Sequence, residues 1–323
     1  MPPGPVPPGF RADLPRWQHL VSPPWLAALL QQQAVPAAPQ ADWHLLEVGC
    51  DAHAAYASGH IPQARYLDTA QCEHLPFWNA HPVPVLQRLW QACGIGPHSC
   101  VILYGRNSLA AARLALLLLA SGVADVRLLD GGLAAWQHAG LGLVRGASGP
   151  WPKTPTSGPW PASPPAYLLD TAGARALLAR PDAALVSIRS RAEYLGQTSG
   201  YPYIAARGEI AGALWGHAGA DGDVNSMADY QDAQGRMRAA AHIARLWQAA
   251  GITPAQQIGF YCGTGWRAAL AFFYAWLMGW PRIAVYDGGW FAWSSDLANP
   301  VICRRPARPL RPQSSPVPQS LPI

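Results

Sequence analysis

Short apolar runs alternate along the chain with longer segments of helical periodicity. "LLEVG" (45–49) and "CVILYG" (100–105) have the length and composition of buried strands. "PVLQRLWQACG" (84–94) and "AAHIARLWQAAG" (240–251) repeat apolar residues at helical spacing and end at glycine, which is typical of a helix C-terminus. This alternation predicts an α/β fold with a mostly parallel sheet flanked by helices.

The pattern occurs twice. "LWQACGIGPHSCVILYG" (89–105) matches "LWQAAGITPAQQIGFYC" (246–262), and "VRLLDGGLAAW" (126–136) matches "IAVYDGGWFAW" (283–293). The separation is 157 residues in each of three aligned pairs, which are Trp90 and Trp247, Tyr104 and Tyr261, and Asp130 and Asp287. The chain is therefore predicted to contain two tandem copies of one α/β unit.

Proline, glycine, serine and threonine mark where the two copies begin and end. "RGASGPWPKTPTSGPWPASPP" (145–165) has no apolar periodicity and is predicted to be a linker. The proline-rich end, 304–323, lacks a core pattern and is predicted to be disordered. The predicted domains are therefore 17–144 and 166–303.

Composition narrows the class of protein. In 323 residues, 50% are hydrophobic and 13% are charged, which is enough apolar material for two cores. No apolar run reaches the about 20 residues of a membrane span, and the N-terminus lacks the features of a secretory signal, so we expect a cytoplasmic protein without a membrane partner. The net charge of +5 is scattered, which argues against a nucleic-acid partner and is compatible with a small anionic substrate.

The six cysteines form no CxxC pair and no zinc-finger spacing, so no metal site is predicted, and no cofactor motif is present. Five of them are expected to be ordinary core or surface residues: Cys50, Cys72, Cys93, Cys100 and Cys303. Cys262 differs because it lies between a predicted strand and a predicted helix, in "YCGTGWR" (261–267).

The residues after Cys262 favour a nucleophile that binds an anion. A glycine-containing loop in front of a helix can direct successive backbone N–H groups into one bowl, and the helix N-terminus adds positive potential. Such a setting favours the thiolate form of a cysteine. Gly263 and Gly265 permit the backbone angles that the bowl needs, and Arg267 can place a guanidinium beside the bound anion.

Several motifs in order resemble the tandem rhodanese family of sulfurtransferases. "VSPPWLAALL" (21–30), "SGHIPQA" (58–64), "LLDGGLAAW" (128–136) and "VYDGGWFAW" (285–293) are similar to motifs of that family. The loop Cys262–Arg267 resembles its active-site loop, and the likeness covers about residues 20–300.

The resemblance implies a persulfide mechanism. Cys262 would take a sulfane sulfur from an anionic donor and pass it to a thiophilic acceptor such as cyanide or a thiol, and a protein acceptor is compatible with this scheme. The predicted substrate-binding residues are Gly263, Thr264, Gly265, Trp266, Arg267 and Arg189. The first copy has Gly105 in place of the cysteine, so it is expected to be inactive.

Some positions depart from the family pattern. The histidine of "GHIPGA" is replaced by Glu209, and Glu193 occupies a position where some members carry an arginine. A donor-binding arginine like that of those members is therefore absent from this position, and Arg189 and Arg207 are the possible substitutes.

The loop leaves the donor open between two compounds. Its Cys-Gly-x-Gly start is similar to that of mercaptopyruvate-using members, whereas its final arginine suits thiosulfate, which we favour. A phosphatase is disfavoured, because those relatives have a seven-residue loop and this one has six residues. A non-catalytic module for partner binding or sulfur relay is the remaining alternative.

Overall fold

The fold is described by a computed structural model. It describes residues 6–40, 42–151 and 158–304. The predicted tail from residue 305 onwards and residues 152–157 of the predicted linker lie outside this range. The remaining residues of the 145–165 linker form no helix or strand.

The first half, up to His138, contains seven strands and five α-helices. The strands are β1 (Leu20–Val21), β2 (Trp43–Gly49), β3 (Arg65–Asp68), β4 (Glu73–His74), β5 (Asn79–Ala80), β6 (Cys100–Tyr104) and β7 (Asp125–Leu129). The helices are α1 (Pro23–Leu30), α2 (His53–Ser58), α3 (Val83–Ala92), α4 (Ser108–Ser121) and α5 (Gly132–His138).

The second half repeats this succession of elements. Its strands are β8 (Leu168–Leu169), β9 (Ala183–Ser187), β10 (Glu209–Ile210), β11 (Leu214–Trp215), β12 (Gln257–Tyr261), β13 (Ile283–Tyr286) and β14 (Val301–Ile302). Its helices are α6 (Thr171–Leu178), α7 (Arg191–Tyr194), α8 (Ala240–Ala249), α9 (Trp266–Leu277) and α10 (Gly289–Ser295).

Each half is built on a five-stranded sheet in which every neighbouring pair is parallel. The strand orders are β1-β7-β6-β2-β3 and β11-β9-β12-β13-β8, which are the same topology read in opposite directions. The predicted parallel α/β fold and its duplication are therefore confirmed. The strands β6 and β12, which precede position 105 and Cys262, are the central strands of their sheets.

The two halves share one hydrophobic core through α4 and α9, which pack against each other. Almost every residue of both helices is buried, although an ordinary surface helix has a polar face. The reason is that each helix covers its own sheet on one side and meets the other helix on the opposite side. The long apolar stretches seen in the sequence are therefore an inter-domain contact.

The halves are also joined by the aspartates of two Asp-Gly-Gly turns. Asp287 accepts a hydrogen bond at 2.7 Å from the backbone of Ala80, in the hairpin β4–β5 of the first half. Reciprocally, Asp130 accepts one at 2.8 Å from the backbone of Met237 in the second half. Each aspartate therefore holds a segment of the opposite half.

Among the described residues, no helix combines the length and apolar character that a membrane crossing requires.

Asp130 makes the stability of this contact depend on pH. Burial raises the pKa of its carboxyl from 3.8 to about 6. The folded state therefore binds the proton of Asp130 more tightly than the unfolded chain does. The resulting stabilisation of the fold is fully present below about pH 4 and is lost as the pH rises through 6. We expect Asp130→Asn, which keeps a carbonyl acceptor for Met237, to melt like the wild type near pH 4 and at a higher temperature above pH 6. Thermal denaturation between pH 4 and 8 measures this, and a constant difference between the two proteins would contradict it.

Candidate active site

Cys262 lies at the carboxyl end of the central strand β12, and α9 begins four residues later at Trp266. Its side chain is fully buried. The parallel pairing of β12 with β9 and β13 fixes the position of this strand end from both sides. The loop from Cys262 to Arg267 thus lies where parallel sheets present ligands.

The first carbonyl oxygens of the loop accept hydrogen bonds from residues outside it, whereas the N–H groups of the loop point to no protein acceptor among the described residues. The backbone N–H of Trp290 donates to the oxygen of Cys262 at 2.7 Å, and that of Phe291 donates to the oxygen of Gly263 at 3.0 Å. Within the described residues, the backbone N–H groups of 263–267 donate no hydrogen bond to a protein acceptor. These five donors and the N-terminus of α9 are the groups from which the sequence predicts an anion-binding bowl, and that role stays a prediction.

Two loop glycines are required by close contacts. Gly265 has φ +94°, in the left-handed region that favours glycine. At Gly263, a Cβ atom would lie 2.2 Å from the ring of Tyr201. The loop can adopt this conformation under Tyr201 only without a side chain at position 263.

Arg267 is buried and forms a bidentate ion pair with Glu193. Its Nη1 and Nη2 donate to the two carboxylate oxygens of Glu193 at 2.8 and 2.9 Å, and Nη2 also donates to the hydroxyl of Tyr201 at 3.1 Å. Burial raises the pKa of Glu193, but the charges of Arg267 and Arg189 outweigh it and hold that pKa below its ordinary value. The guanidinium predicted to meet the donor is thus already paired with a carboxylate.

Arg189 is also buried, and it does not line the cavity described below. It donates to the backbone oxygen of Gly208 at 2.7 Å and lies over the ring of Trp290 at 4.9 Å. The carboxylates of Glu193 and Glu209 are 3.5 and 3.6 Å from it. This environment offers no free face for a donor, so the geometry does not support the predicted contact of Arg189 with substrate.

Glu209, which replaces the family histidine, has a structural position behind the loop. Its carboxylate accepts hydrogen bonds from the hydroxyl of Tyr261 and, at 2.7 Å, from that of Ser187. The first half has the same arrangement with other residues, because the hydroxyl of Tyr104 donates to Glu47 at 2.7 Å. The aligned tyrosines thus anchor the end of the central strand in both copies.

The cavity beside the loop has a volume of about 320 Å³. A separate cavity of about 410 Å³ lies beside Asp130. Both halves contribute to the cavity beside the loop. Its lining residues are Cys50, Trp78, Leu109, Tyr201, Pro202, Tyr203, Val224, Asn225, Thr264, Trp266 and Arg267. Thr264, Trp266 and Arg267 were predicted from the sequence, whereas the aromatic wall was missed.

The aromatic wall consists of Trp78, Tyr201, Tyr203 and Phe291. Ring centres of Trp78 and Tyr203 are 4.9 Å apart, those of Tyr201 and Tyr203 are 5.3 Å apart, and those of Tyr203 and Phe291 are 5.7 Å apart. Burial first, and then the charge of Cys262, raise the pKa of Tyr203 to about 12. The two tyrosines of "GYPY" (200–203) were the only signal of this wall in the sequence.

The corresponding position in the first half has no space for a thiol. A Cβ atom on Gly105 would lie 2.4 Å from the backbone oxygen of Asn107 and 3.0 Å from that of Val48. The surrounding backbone is otherwise equivalent, since the N–H of Leu133 donates to the oxygen of Gly105 as Trp290 does to Cys262. The first copy therefore lacks both the cysteine and room for one.

Two parallel α/β domains, with one cysteine loop at the end of a central strand, define a tandem sulfur-transfer fold. The family model of the rhodanese-like domain matches residues 22–139 and 170–296. The chain belongs to the rhodanese family and contains two copies of its domain.

The chain is similar to the thiosulfate sulfurtransferase YnjE of Escherichia coli (strain K12). The two are 48% identical over 288 residues, which are 89% of this chain and 66% of YnjE. The crystal structure of YnjE matches with a TM-score of 0.85 over 89% of this chain and 69% of that chain. The chain thus spans about two thirds of that relative.

The fold is also similar to enzymes of ergothioneine chemistry. The anaerobic ergothioneine biosynthesis enzyme from Chlorobium limicola, in complex with trimethyl histidine, is 35% identical, with a TM-score of 0.83 over 91% of this chain and 72% of that chain. A structure of EanB with a cysteine persulfide and ergothioneine is 34% identical, with a TM-score of 0.85 over 91% of this chain and 72% of that chain.

Removing the carboxylate of Glu193 is predicted to destabilise the second half. Glu193→Ala leaves the buried guanidinium of Arg267 without its ion pair, a change that costs about 3–5 kcal/mol. Glu193→Gln keeps one acceptor oxygen and should lose less. The control is Asp182→Ala, which breaks an exposed pair with Arg180 and should change the stability little. Denaturant unfolding measures all three, and equal stability of Glu193→Ala and the wild type would contradict the assignment.

Proposed function

We propose that the protein is a sulfurtransferase that carries sulfur as a persulfide on Cys262. The thiolate of Cys262 attacks the outer sulfur of the donor, a new S–S bond forms, and the bond within the donor breaks. With thiosulfate, sulfite leaves with the electron pair of that bond. The acceptor, which is cyanide, a thiol or a protein thiol, then attacks the outer sulfur, and the thiolate of Cys262 is restored.

The observation that carries this proposal is the ring of five backbone N–H groups in the loop after Cys262, none with a protein acceptor among the described residues. An outer persulfide sulfur carries negative charge, and backbone donors that are already oriented stabilise such charge without reorganisation. The N-terminus of α9 adds to the same effect. A partner-binding module would not need unpaired donors around a buried thiol.

Thiosulfate stays the favoured donor, and 3-mercaptopyruvate the alternative. The similarity to YnjE, which is named a thiosulfate sulfurtransferase, supports thiosulfate. The backbone N–H groups are the donors that the geometry offers to its sulfur. A direct contact between Arg267 and the donor, as the sequence predicted, requires that its ion pair with Glu193 opens.

Access to Cys262 requires a movement of the aromatic wall. The thiol is fully buried, and the ring of Tyr201 lies directly over Gly263. We infer that donor and acceptor enter through the cavity beside Trp266 and displace Tyr201. The hydrogen bond from Arg267 to the hydroxyl of Tyr201 then favours return of the closed arrangement after transfer.

Intact-protein mass after addition of thiosulfate tests the mechanism. The wild type should gain one sulfur atom, and cyanide should remove it. Cys262→Ser should gain none, whereas Cys50→Ser, which changes the cysteine that lines the cavity, should behave as the wild type. A gain from mercaptopyruvate but not from thiosulfate would keep the mechanism and reverse the donor. No gain from either donor would leave the partner-binding or relay alternative.

A second candidate function concerns the acceptor, which we propose to be an imidazole compound with a quaternary ammonium group, such as trimethyl histidine. The observation that favours it is the aromatic wall of Trp78, Tyr201 and Tyr203, because aromatic faces attract quaternary ammonium groups. Arg267 is the one basic residue among the lining residues, and its charge is offset by Glu193. The cavity thus presents no free cation that would repel such a ligand.

The similar ergothioneine enzymes support this acceptor. Structures of EanB carry substitutions at a tyrosine and at a threonine. These two stand at the same separations from its persulfide cysteine as Tyr203 and Thr264 from Cys262. Both Tyr203 and Thr264 line the cavity here.

Persulfide-loaded protein mixed with trimethyl histidine tests the second candidate. We expect the S–S bond of the persulfide to break with release of the Cys262 thiolate, while a ring carbon of the imidazole forms a C–S bond in place of its C–H bond and the proton goes to solvent. The protein then loses one sulfur atom and the small molecule gains it. Tyr203→Leu should slow this transfer about tenfold, because it removes a ring that contacts the cation, and should leave transfer to cyanide unchanged. No transfer to trimethyl histidine, while cyanide still accepts, would exclude this acceptor and keep the sulfurtransferase.

A further inference from the structure

A buried arginine of the first half lies against the loop of the second half. Arg113 is on α4, and it is the one charged residue among the fourteen of that helix. Its side chain is fully buried. A buried guanidinium is unfavourable unless it is paired, so its partners indicate what it holds.

The three partners of Arg113 come from both halves. Its Nε donates to Oε1 of Glu73 at 2.7 Å, and its Nη2 donates to the backbone oxygen of Trp78 at 3.2 Å, both in the hairpin region β4–β5. Its Nη1 is 2.6 Å from Oδ1 of Asp287 in the second half. Burial lowers the pKa of Arg113, but the charges of Asp287 and Glu73 outweigh it and raise that pKa, so the cation is retained.

Glu73 connects Arg113 to the last part of the loop. The indole Nε1 of Trp266 donates to Oε1 of Glu73 at 3.1 Å, the same oxygen that receives Nε of Arg113. The guanidinium also lies close to Gly265, since a Cβ atom placed there would be 3.0 Å from Nη1. Gly265 and Trp266 thus rest on Arg113 and its carboxylate.

Asp287 connects Arg113 to the first part of the loop. The turn that begins at Asp287 leads into Trp290 and Phe291. Their backbone N–H groups donate to the oxygens of Cys262 and Gly263. Asp287 is itself fixed by Arg113 and by the backbone of Ala80. Both ends of the loop therefore depend on one side chain of the half that lacks the thiol.

We propose that Arg113 is a positioning residue for the Cys262 loop. It holds the loop through Glu73 and Trp266 at one end and through the Asp287 turn at the other. This inference rests on the proposed sulfur transfer. The aligned position in the second half, 157 residues later, is Leu270. The first half thus provides an arginine beside the loop of the second half, and the second half provides none at the aligned position.

Arg113→Met tests this role, with Arg127→Met as the matched control. Arg127 is another buried arginine of the first half, paired with Asp125 at 2.6 Å and bonded to the backbone of Ala37, and it does not contact the loop. Both variants lose a buried ion pair and should lose stability. We expect Arg113→Met alone to lower kcat for sulfur transfer about 10- to 100-fold with little change in KM, because misplaced N–H groups fail to stabilise the outer sulfur.

Trp266→Phe provides a second variant that leaves the ion cluster in place. It removes the indole donor to Glu73 and keeps an aromatic ring at the cavity, so it should fold and lower kcat by a smaller factor. A wild-type kcat in Trp266→Phe and in folded Arg113→Met would overturn the proposal. If Arg113→Met does not fold, a wild-type kcat in Trp266→Phe alone overturns it.

Amide hydrogen exchange separates this inference from the proposed function. Exchange at the amides of Trp290 and Phe291, which donate to the loop oxygens, should be faster in Arg113→Met than in the wild type and unchanged in Arg127→Met, whether or not a donor has been found. Unchanged exchange at these amides in Arg113→Met would contradict positioning even in an active enzyme. Faster exchange in Arg113→Met, together with a wild type that accepts no sulfur, would instead count against sulfur transfer alone.

Discussion

The packing of α4 against α9 is the contact on which the rest of the molecule depends. Each helix is apolar on nearly all sides, so neither half can leave the other without exposing a large hydrophobic surface. Because α9 begins within the Cys262 loop, the same contact fixes where the loop lies relative to the first half. The first half thereby supplies Trp78 and Leu109 to the cavity. Duplication here produced one folding unit with one thiol loop, and the copy without the thiol became its support.

Charge around the loop is balanced in two buried clusters, one on each side. Arg267 is neutralised by Glu193, and Arg113 faces the carboxylates of Glu73 and Asp287. The positive potential that remains at Cys262 comes from backbone N–H groups and a helix end. Such a field is short-ranged, so it acts on a sulfur atom held within the loop more than on the overall charge of an approaching molecule. This explains how one loop geometry can suit both an anionic donor and an acceptor of different charge.

Local patterns in the sequence predicted much of the fold and the centre of the site. Apolar runs gave the central strands, and the glycines around Cys262 indicated the loop, because these features depend on neighbours in sequence. The partner of Arg267 could not be predicted, since Glu193 comes from α7, and nothing in its sequence context specifies that contact. For the same reason Arg189 was assigned to substrate although it is enclosed by Glu193, Glu209 and Trp290. Arg113 does leave a signal, a single charge within the apolar segment "SLAAARLALLLLAS", but its neighbours in sequence do not specify its partners.

The crowding at Gly105 has a consequence for how this chain can change over time. A cysteine placed there meets the backbone oxygens of Asn107 and Val48, and these cannot be moved aside as a flexible side chain can. A cysteine at this position would require a different path of the segment after β6. A single substitution at Gly105 therefore does not give the first half a thiol loop like the one at Cys262.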